Sequence, residues 1–275
     1  MSVGPVPPGE RWCSLHLHAD WAALPAVLAG VAPVASGAAR WFFIFYGEGG
    51  PHLRVRLWLP DAACTGHLAA LSAAAAAAGC EDVRNIPYEP EVARYGGAPC
   101  LLAAEAVFEA SSRLAVHIHA GVDGRPGARL GWGGLLVAAT FACLRGEAGV
   151  APLASAYARH AAGVAASLGA PAPARPPVST RVAARWLGLG AALARGRLPG
   201  VPDEAVDYLA ALRTHFDRLR EFPSAGDPPG QVLASHAHMT CNRLGLSVVD
   251  EHRICAALAT TSEDLPGSRS LHAGP

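Results

Sequence analysis

Residues 40–60 read Arg-Trp-Phe-Phe-Ile-Phe-Tyr-Gly-Glu-Gly-Gly-Pro-His-Leu-Arg-Val-Arg-Leu-Trp-Leu-Pro. Two apolar runs, Trp41–Tyr46 and Leu53–Leu59, flank Gly47-Glu48-Gly49-Gly50-Pro51. Glycine admits positive φ and proline fixes its own, so the stretch predicts a β-hairpin. The first run is apolar at every position, the pattern of a central strand covered on both faces. The second alternates, with Leu53, Val55 and Leu57 on one side and His52, Arg54, Arg56 and Trp58 on the other. Arginines and a histidine on one face of such a strand form a cationic wall suited to an anion or a carbonyl oxygen. The plainer alternative is a solvated face that protects an edge strand from aggregation.

The rest of the chain sets the frame around this hairpin. Its 275 residues are half apolar and 16% charged, with zero formal net charge, so no polyanion is implied as the main partner. No lysine occurs anywhere, which excludes a Schiff-base lysine and a Walker-type phosphate lysine. The seven cysteines are scattered without a CxxC pair, and predict a reduced, cytoplasmic protein with neither a zinc finger nor a disulfide frame. The N-terminus lacks a basic segment followed by an apolar one, and no apolar stretch reads as a membrane span.

In chain order, residues 11–18 alternate as a strand, and Asp20 is placed to cap a helix over 21–34. Asp61 is placed to cap an alanine-dominated helix over 62–79, ended by Gly79. A short strand from 83 runs into an irregular loop to 98. From residue 99 the apolar spacing is helical, over 99–118, 131–144, 151–168, 180–195, 203–221, 231–245 and 249–259. The fold class is therefore α+β, with an antiparallel-sheet half over about 11–98 and a mostly helical half over about 99–262, together one domain. Residues 1–10 read as a disordered N-terminus, 171–178 as a proline-rich linker and 263–275 as a flexible tail.

The histidines fall in three pairs with one intervening residue: His16/His18, His117/His119 and His236/His238. On a strand such a pair shares a face and can chelate a metal, but no carboxylate or cysteine stands at ligand spacing, so no metal is expected. Ser235 and His238 are three apart on a helix, and their side chains can meet. A serine hydrolase needs its nucleophile on a Gly-x-Ser-x-Gly turn, which is absent, and Gly131-Trp-Gly-Gly134 lacks the spacing of a nucleotide loop.

Three stretches together carry a resemblance: Trp41-Phe-Phe-Ile-Phe-Tyr with Pro51-His-Leu-Arg-Val-Arg56; Tyr88-Glu-Pro-Glu-Val-Ala-Arg-Tyr-Gly-Gly97 with Ala104-Glu-Ala-Val-Phe-Glu-Ala-Ser-Ser112; and Ser235-His-Ala-His-Met-Thr-Cys-Asn-Arg-Leu244 with Glu251 behind it. Over residues 11–260 the chain resembles the C-terminal elimination domain of class I lanthipeptide dehydratases, including the thiopeptide-type bacteriocin biosynthesis proteins. The resemblance implies one of two chemistries. One is removal of glutamate from glutamylated Ser or Thr. The other is a formal [4+2] cycloaddition of two dehydroalanines that closes a thiopeptide macrocycle, in some members with loss of water and leader peptide.

Departures from the family pattern point to the second. The first strand usually ends in Arg-Tyr; here it ends Phe45-Tyr46, and phenylalanine cannot hold a departing carboxylate. The usual acidic residue after the 104–110 helix is Ser111. A cycloaddition of neutral dehydroalanines asks for an apolar cleft and a few donors that polarise an amide into its iminol form. The expected function is a pyridine-synthase-like [4+2] cyclase; a stand-alone eliminase and a non-catalytic, leader-binding scaffold are the alternatives. The resemblance implies His238, Ser235 and Tyr88 as catalytic groups. It implies Arg54, Arg56, His52, Tyr46, Trp58, Glu91 and Arg94 as substrate contacts. Asn242 and Arg243 are expected to fix a helix to the sheet, and Gly96-Gly97 to shape a turn. Some cyclases of this group carry a tyrosine where Cys241 stands. The expected partner is a modified precursor peptide, a leader plus a core containing azoles and dehydroalanines. No cofactor, nucleic acid or membrane is expected, and a homodimer is left open.

Overall fold

In the computed structural model, which describes residues 9–122, 125, 127–167, 178–223 and 226–261, the quoted stretch forms the hairpin of β2 (Arg40–Tyr46) and β3 (His52–Pro60). The readings of a disordered 1–10 segment, a linker over 171–178 and a tail over 263–275 fall wholly or mainly outside those residues. With β1 (Glu10–His18) and β4 (Asp82–Asn85) the hairpin makes an antiparallel sheet of order β2-β3-β1-β4. Two helices, α1 (Leu24–Ala35) and α2 (Asp61–Ala77), pack against β1 and β3. They cover the face that carries Leu15, Leu17, Leu53, Val55 and Leu57, all fully buried or nearly so.

Among the described residues seven α-helices follow: α3 (Leu101–Val122), α4 (Ala128–Arg145), α5 (Val150–Ser167), α6 (Thr180–Ala194), α7 (Asp203–Glu221), α8 (Pro229–Arg243) and α9 (Val248–Thr261). The molecule is thus α+β. The helices pair as α5 on α9, α4 on α6 and α3 on α7. Gly134 in the glycine-rich stretch of α4 serves packing: a Cβ there would stand 2.2 Å from the Trp186 ring of α6. Among the described residues no single helix is long and apolar enough to cross a membrane.

Four expectations need correction. Trp41–Tyr46 is an edge strand, not a central one. Its apolar character fits because side chains of α3 and α8 take the place of a further strand. Phe43 N–H donates to Ser112 Oγ at 3.1 Å, and Arg243 Nε donates to Phe43 O at 2.8 Å. Asn242 closes a pair with the Phe45 peptide, accepting at 3.0 Å and donating at 2.8 Å. These bonds satisfy an edge that would otherwise be a buried row of orphaned peptides. Second, the N-cap of α1 is Ala23, and Asp20 contributes only its backbone carbonyl, which accepts from Ala23 and Leu24 in the preceding turn. Third, Asp61 is the first residue of α2, where its charge suits the helix dipole, and makes no cap bond. Fourth, the cysteines are not all reduced, because a disulfide joins Cys13 of β1 to Cys64 of α2.

Candidate active site

His236 and His238 are two residues apart, which on a helix turns them to different sides of α8. His236 is 1% exposed and meets His215 of α7, Nε2 to Nδ1 at 2.8 Å. His215 Nε2 lies 3.0 Å from the carbonyl of Tyr95, which can only accept. His215 therefore carries its proton on Nε2, leaving Nδ1 to accept from His236. Burial pushes His215 down to about 4 and His236 well below the ordinary histidine value, so both rings are neutral. This pair is part of the core.

His238 faces the other way, into a cavity of about 880 Å³ between α5, α8 and α9. Its Nδ1 lies 2.9 Å from Oε2 of Glu251 on α9, whose side chain is 2% exposed. Oε2 also accepts from the Tyr157 hydroxyl of α5 at 2.5 Å. A carboxylate that accepts the Nδ1 proton leaves the lone pair of the neutral imidazole on Nε2. The ionic neighbour of His238 is thus a carboxylate. One turn earlier on α8, Ser235 Oγ accepts from Arg94 Nε at 3.0 Å, and Arg94 is paired with Glu91 at 3.1 Å. With its lone pair so engaged, the Ser235 hydroxyl is free to donate. His160, Asp227 and Gln231 add to the polar lining; Phe141, Leu153, Val164 and Val248 are among the apolar residues.

Arg94 is set by backbone fit. Gly96 and Gly97 adopt φ of +90° and +84°, and a Cβ on Gly226 would lie 2.5 Å from Ala93 O and 2.6 Å from Gly97 N. Asp227 N–H donates to Ala93 O at 2.8 Å. The entry to α8 is therefore locked onto the turn that carries Arg94.

The remaining candidates lie on the sheet. Cross-strand register sets His16 beside Arg54, His18 beside His52 and Ser14 beside Arg56. His52 is 2% exposed and both its nitrogens are engaged: Nδ1 donates to Gly50 O at 2.8 Å, and Nε2 accepts from Arg54 Nε at 3.0 Å. It orders Arg54, whose guanidinium lies 3.4 Å from the centre of the Tyr46 ring. Tyr46 donates to Glu48 and Trp58 to Glu10. Tyr88 leans on Arg56 at 4.8 Å and packs edge-on to Trp12 and Phe42; burial, then Glu105, pushes its phenol far up. Burial also lowers Arg56, to about 10, so it remains a cation at neutral pH. Its Nε, like Ser14 Oγ, is buried without a hydrogen-bond partner.

Of the ten residues singled out from the sequence, the structure brings His238, Ser235 and Arg94 to one cavity, with Glu91 holding Arg94. Tyr88, Arg54, Arg56, His52, Tyr46 and Trp58 do not line it. Tyr157 was missed because an isolated tyrosine in an alanine-rich helix carries no spacing signal. Glu251 stood in a recognised stretch without a role. Among the described residues there is no group of three or more His, Cys, Asp or Glu side chains that could hold a metal ion.

Residues 12–262 match the family described as lantibiotic biosynthesis dehydratase C-term. No curated protein matches the chain. Among solved structures, the chain is similar to the tRNA-dependent lantibiotic dehydratase MibB from Microbispora sp. 107891, with 24% identity and a TM-score of 0.60. That match covers 94% of this chain but only 28% of MibB. The pyridine synthase TbtD from thiomuracin biosynthesis is similar at 17% identity and a TM-score of 0.67, over 93% of this chain and 98% of TbtD. TsrL is similar at 17% identity and a TM-score of 0.66, over 92% of this chain and 95% of TsrL. At these identities the structural likenesses establish the fold.

Proposed function

The chain belongs to the lantibiotic biosynthesis dehydratase C-terminal family, and from that premise we propose that it catalyses a formal [4+2] cycloaddition between two dehydroalanines of a modified precursor peptide. The observation that carries this reading is the cavity: large, apolar on one side, with a histidine–carboxylate pair and a directed hydroxyl on the other. A neutral diene and alkene need such a pocket more than they need charge.

The diene forms when the amide preceding one dehydroalanine becomes its iminol. In this reading His238 Nε2 takes the amide N–H proton while Ser235, held by Arg94, donates to the amide oxygen. The proton ends on that oxygen, giving C=N–C=C. The six-membered ring closes with two new C–C bonds to the second dehydroalanine: the diene's terminal alkene carbon joins its CH2 carbon, and the iminol carbon joins its α-carbon. The ring then carries a hydroxyl on the former amide carbon. Loss of water and of the leader as its carboxamide aromatises the ring, and His238 can carry the protons both steps release. The pyridine synthase TbtD, with the same fold, supports the assignment by analogy.

Elimination of glutamate is the second reading. It is favoured by Arg56, a buried cation with an unpartnered Nε beside Ser14, and by the likeness to a lantibiotic dehydratase. Purified protein given a precursor with two dehydroalanines and, separately, a glutamyl-serine peptide separates the two. A macrocycle from the first, with no glutamate from the second, is the expected result. Clean glutamate release without a macrocycle transfers the assignment to the eliminase, and binding without either product to a leader-binding scaffold.

A further inference from the structure

We infer that Tyr157 is a positioning residue for His238: its phenol fixes the Glu251 carboxylate, and the carboxylate sets the imidazole. The inference rests on the reading of His238 as the proton carrier. Tyr157 is 7% exposed and lies on α5, outside every stretch that carries the family resemblance. Its hydroxyl donates to Glu251 Oε2, the oxygen that also accepts from His238 Nδ1. The second contact of Nδ1, to Oε1, is longer at 3.1 Å.

A carboxylate buried this deeply must replace the hydrogen bonds of water with donors of its own. Here the donors are a phenol and an imidazole. With the phenol in place, Glu251 has one defined rotamer, and the bond to Nδ1 fixes both the tautomer and the plane of His238, as outer partners do for other functional histidines. Without it, the carboxylate can rotate, and Nδ1 loses its fixed acceptor. Burial, then Glu251, pushes the Tyr157 phenol far above its ordinary value, so it remains a donor throughout the neutral range. A phenol confined to packing would need no such partner, and phenylalanine would serve as well.

The test uses the full chain with ¹⁵N-labelled histidine. In the wild type, the neutral ring of His238 should show a single tautomer protonated on Nδ1. Tyr157→Phe should give mixed tautomers and lower kcat about 10-fold with KM unchanged, the size of one positioning hydrogen bond. In a Glu251→Gln background the same substitution should lower kcat less than 3-fold, because the route through the carboxylate is already cut. An unchanged His238 tautomer in Tyr157→Phe, or an equal loss of kcat in both backgrounds, overturns the inference. If Tyr157→Phe does not fold, 3-fluorotyrosine at position 157 keeps the ring and strengthens the donor. The His238 Nδ1 proton resonance should then shift, and a resonance that stays put overturns the inference. The spectroscopic readouts need no substrate. A shifted tautomer with no cyclisation in the wild type would therefore reject the cyclase reading while leaving the role of Tyr157 intact.

Discussion

The buried pair His215–His236 should make the protein acid-labile in a defined window. His215 is 0% exposed and His236 1%, and the chain from His236 through His215 to the Tyr95 carbonyl requires both rings neutral. The charges that His236 feels besides its partner are the cations Arg243 and Arg94, which oppose protonation further. In the unfolded chain each ring takes a proton near pH 6.5; in the fold His215 does so only near 4. Between those values the unfolded state binds more protons, so stability falls as pH falls. The contribution is complete above about pH 6.5 and is lost progressively towards 4. For His215 alone the shift is worth roughly 3 kcal/mol at 1.36 kcal/mol per unit, with His236 acting in the same direction. That is a large share of a typical stability of about 5–15 kcal/mol. Urea unfolding followed by circular dichroism at pH 7.5, 6.5, 5.5 and 4.5 measures it. His16, lowered to about 4 on the sheet, adds a parallel slope, so a variant must isolate the pair. Glutamine at position 215 can donate to Tyr95 and accept from His236 but does not titrate. His215→Gln should cost about 1–2 kcal/mol at pH 7.5 and flatten the decline below pH 6.5. A slope equal to that of the wild type would refute the reasoning.

Three further outcomes are expected. His238→Ala should lower cyclisation by about two to four orders of magnitude with little change in peptide affinity, and Ser235→Ala should cost less, near 1 kcal/mol, both read by mass spectrometry of single turnovers. Asn242→Ala, which strips both bonds from the Phe45 peptide, should destabilise by about 2–4 kcal/mol in urea melts; a change below about 0.5 kcal/mol would mean that solvent reaches this edge. Unfolding without reductant should expose five maleimide-reactive thiols of the seven cysteines, rising to seven with reductant. Opening the Cys13–Cys64 link, 51 residues apart in sequence, should cost about 4 kcal/mol.

Much of the fold was legible because its signals are local. The helix read over 203–221 is α7 to the residue, and that over 151–168 begins one residue after the start of α5, its last residue lying outside the described ones. Their apolar spacing is unbroken and their ends are marked by proline or glycine. The misreading of β2 is instructive for the opposite reason. A strand apolar on both faces is covered on both faces, but that pattern is silent on what lies along its edge. Ser112, Asn242 and Arg243 close that edge from 69 to 200 residues away in sequence. The Cys13–Cys64 pair is likewise a tertiary contact between β1 and α2 that no short spacing announces.

The site was legible only in part, and the dividing line runs through residues 86–97. Tyr88, near the start of this segment, lies against Arg56 on the sheet; Arg94, near its end, reaches Ser235 at the cavity. The residues expected to act together therefore fall in two environments. On the sheet, Arg54 is tied to His52 and stacked on Tyr46, and Arg56 is enclosed by Tyr88 and Phe42. Among the described residues, the only arginine in the cavity lining is Arg94, and the Glu91 carboxylate already engages it. What the cavity offers a substrate includes a proton acceptor at His238 Nε2 and a donor at Ser235, beside His160, Asp227 and Gln231 and facing apolar residues. Such a set moves protons on a neutral substrate better than it holds a departing carboxylate. A salt dependence follows from the same division: cyclisation of a neutral diene and alkene should hold steady between low and physiological ionic strength, whereas capture of a glutamate carboxylate by Arg56 should weaken as salt screens the attraction. Turnover on the dehydroalanine peptide that falls steeply with salt, at saturating peptide, would place the chemistry on the arginine face instead.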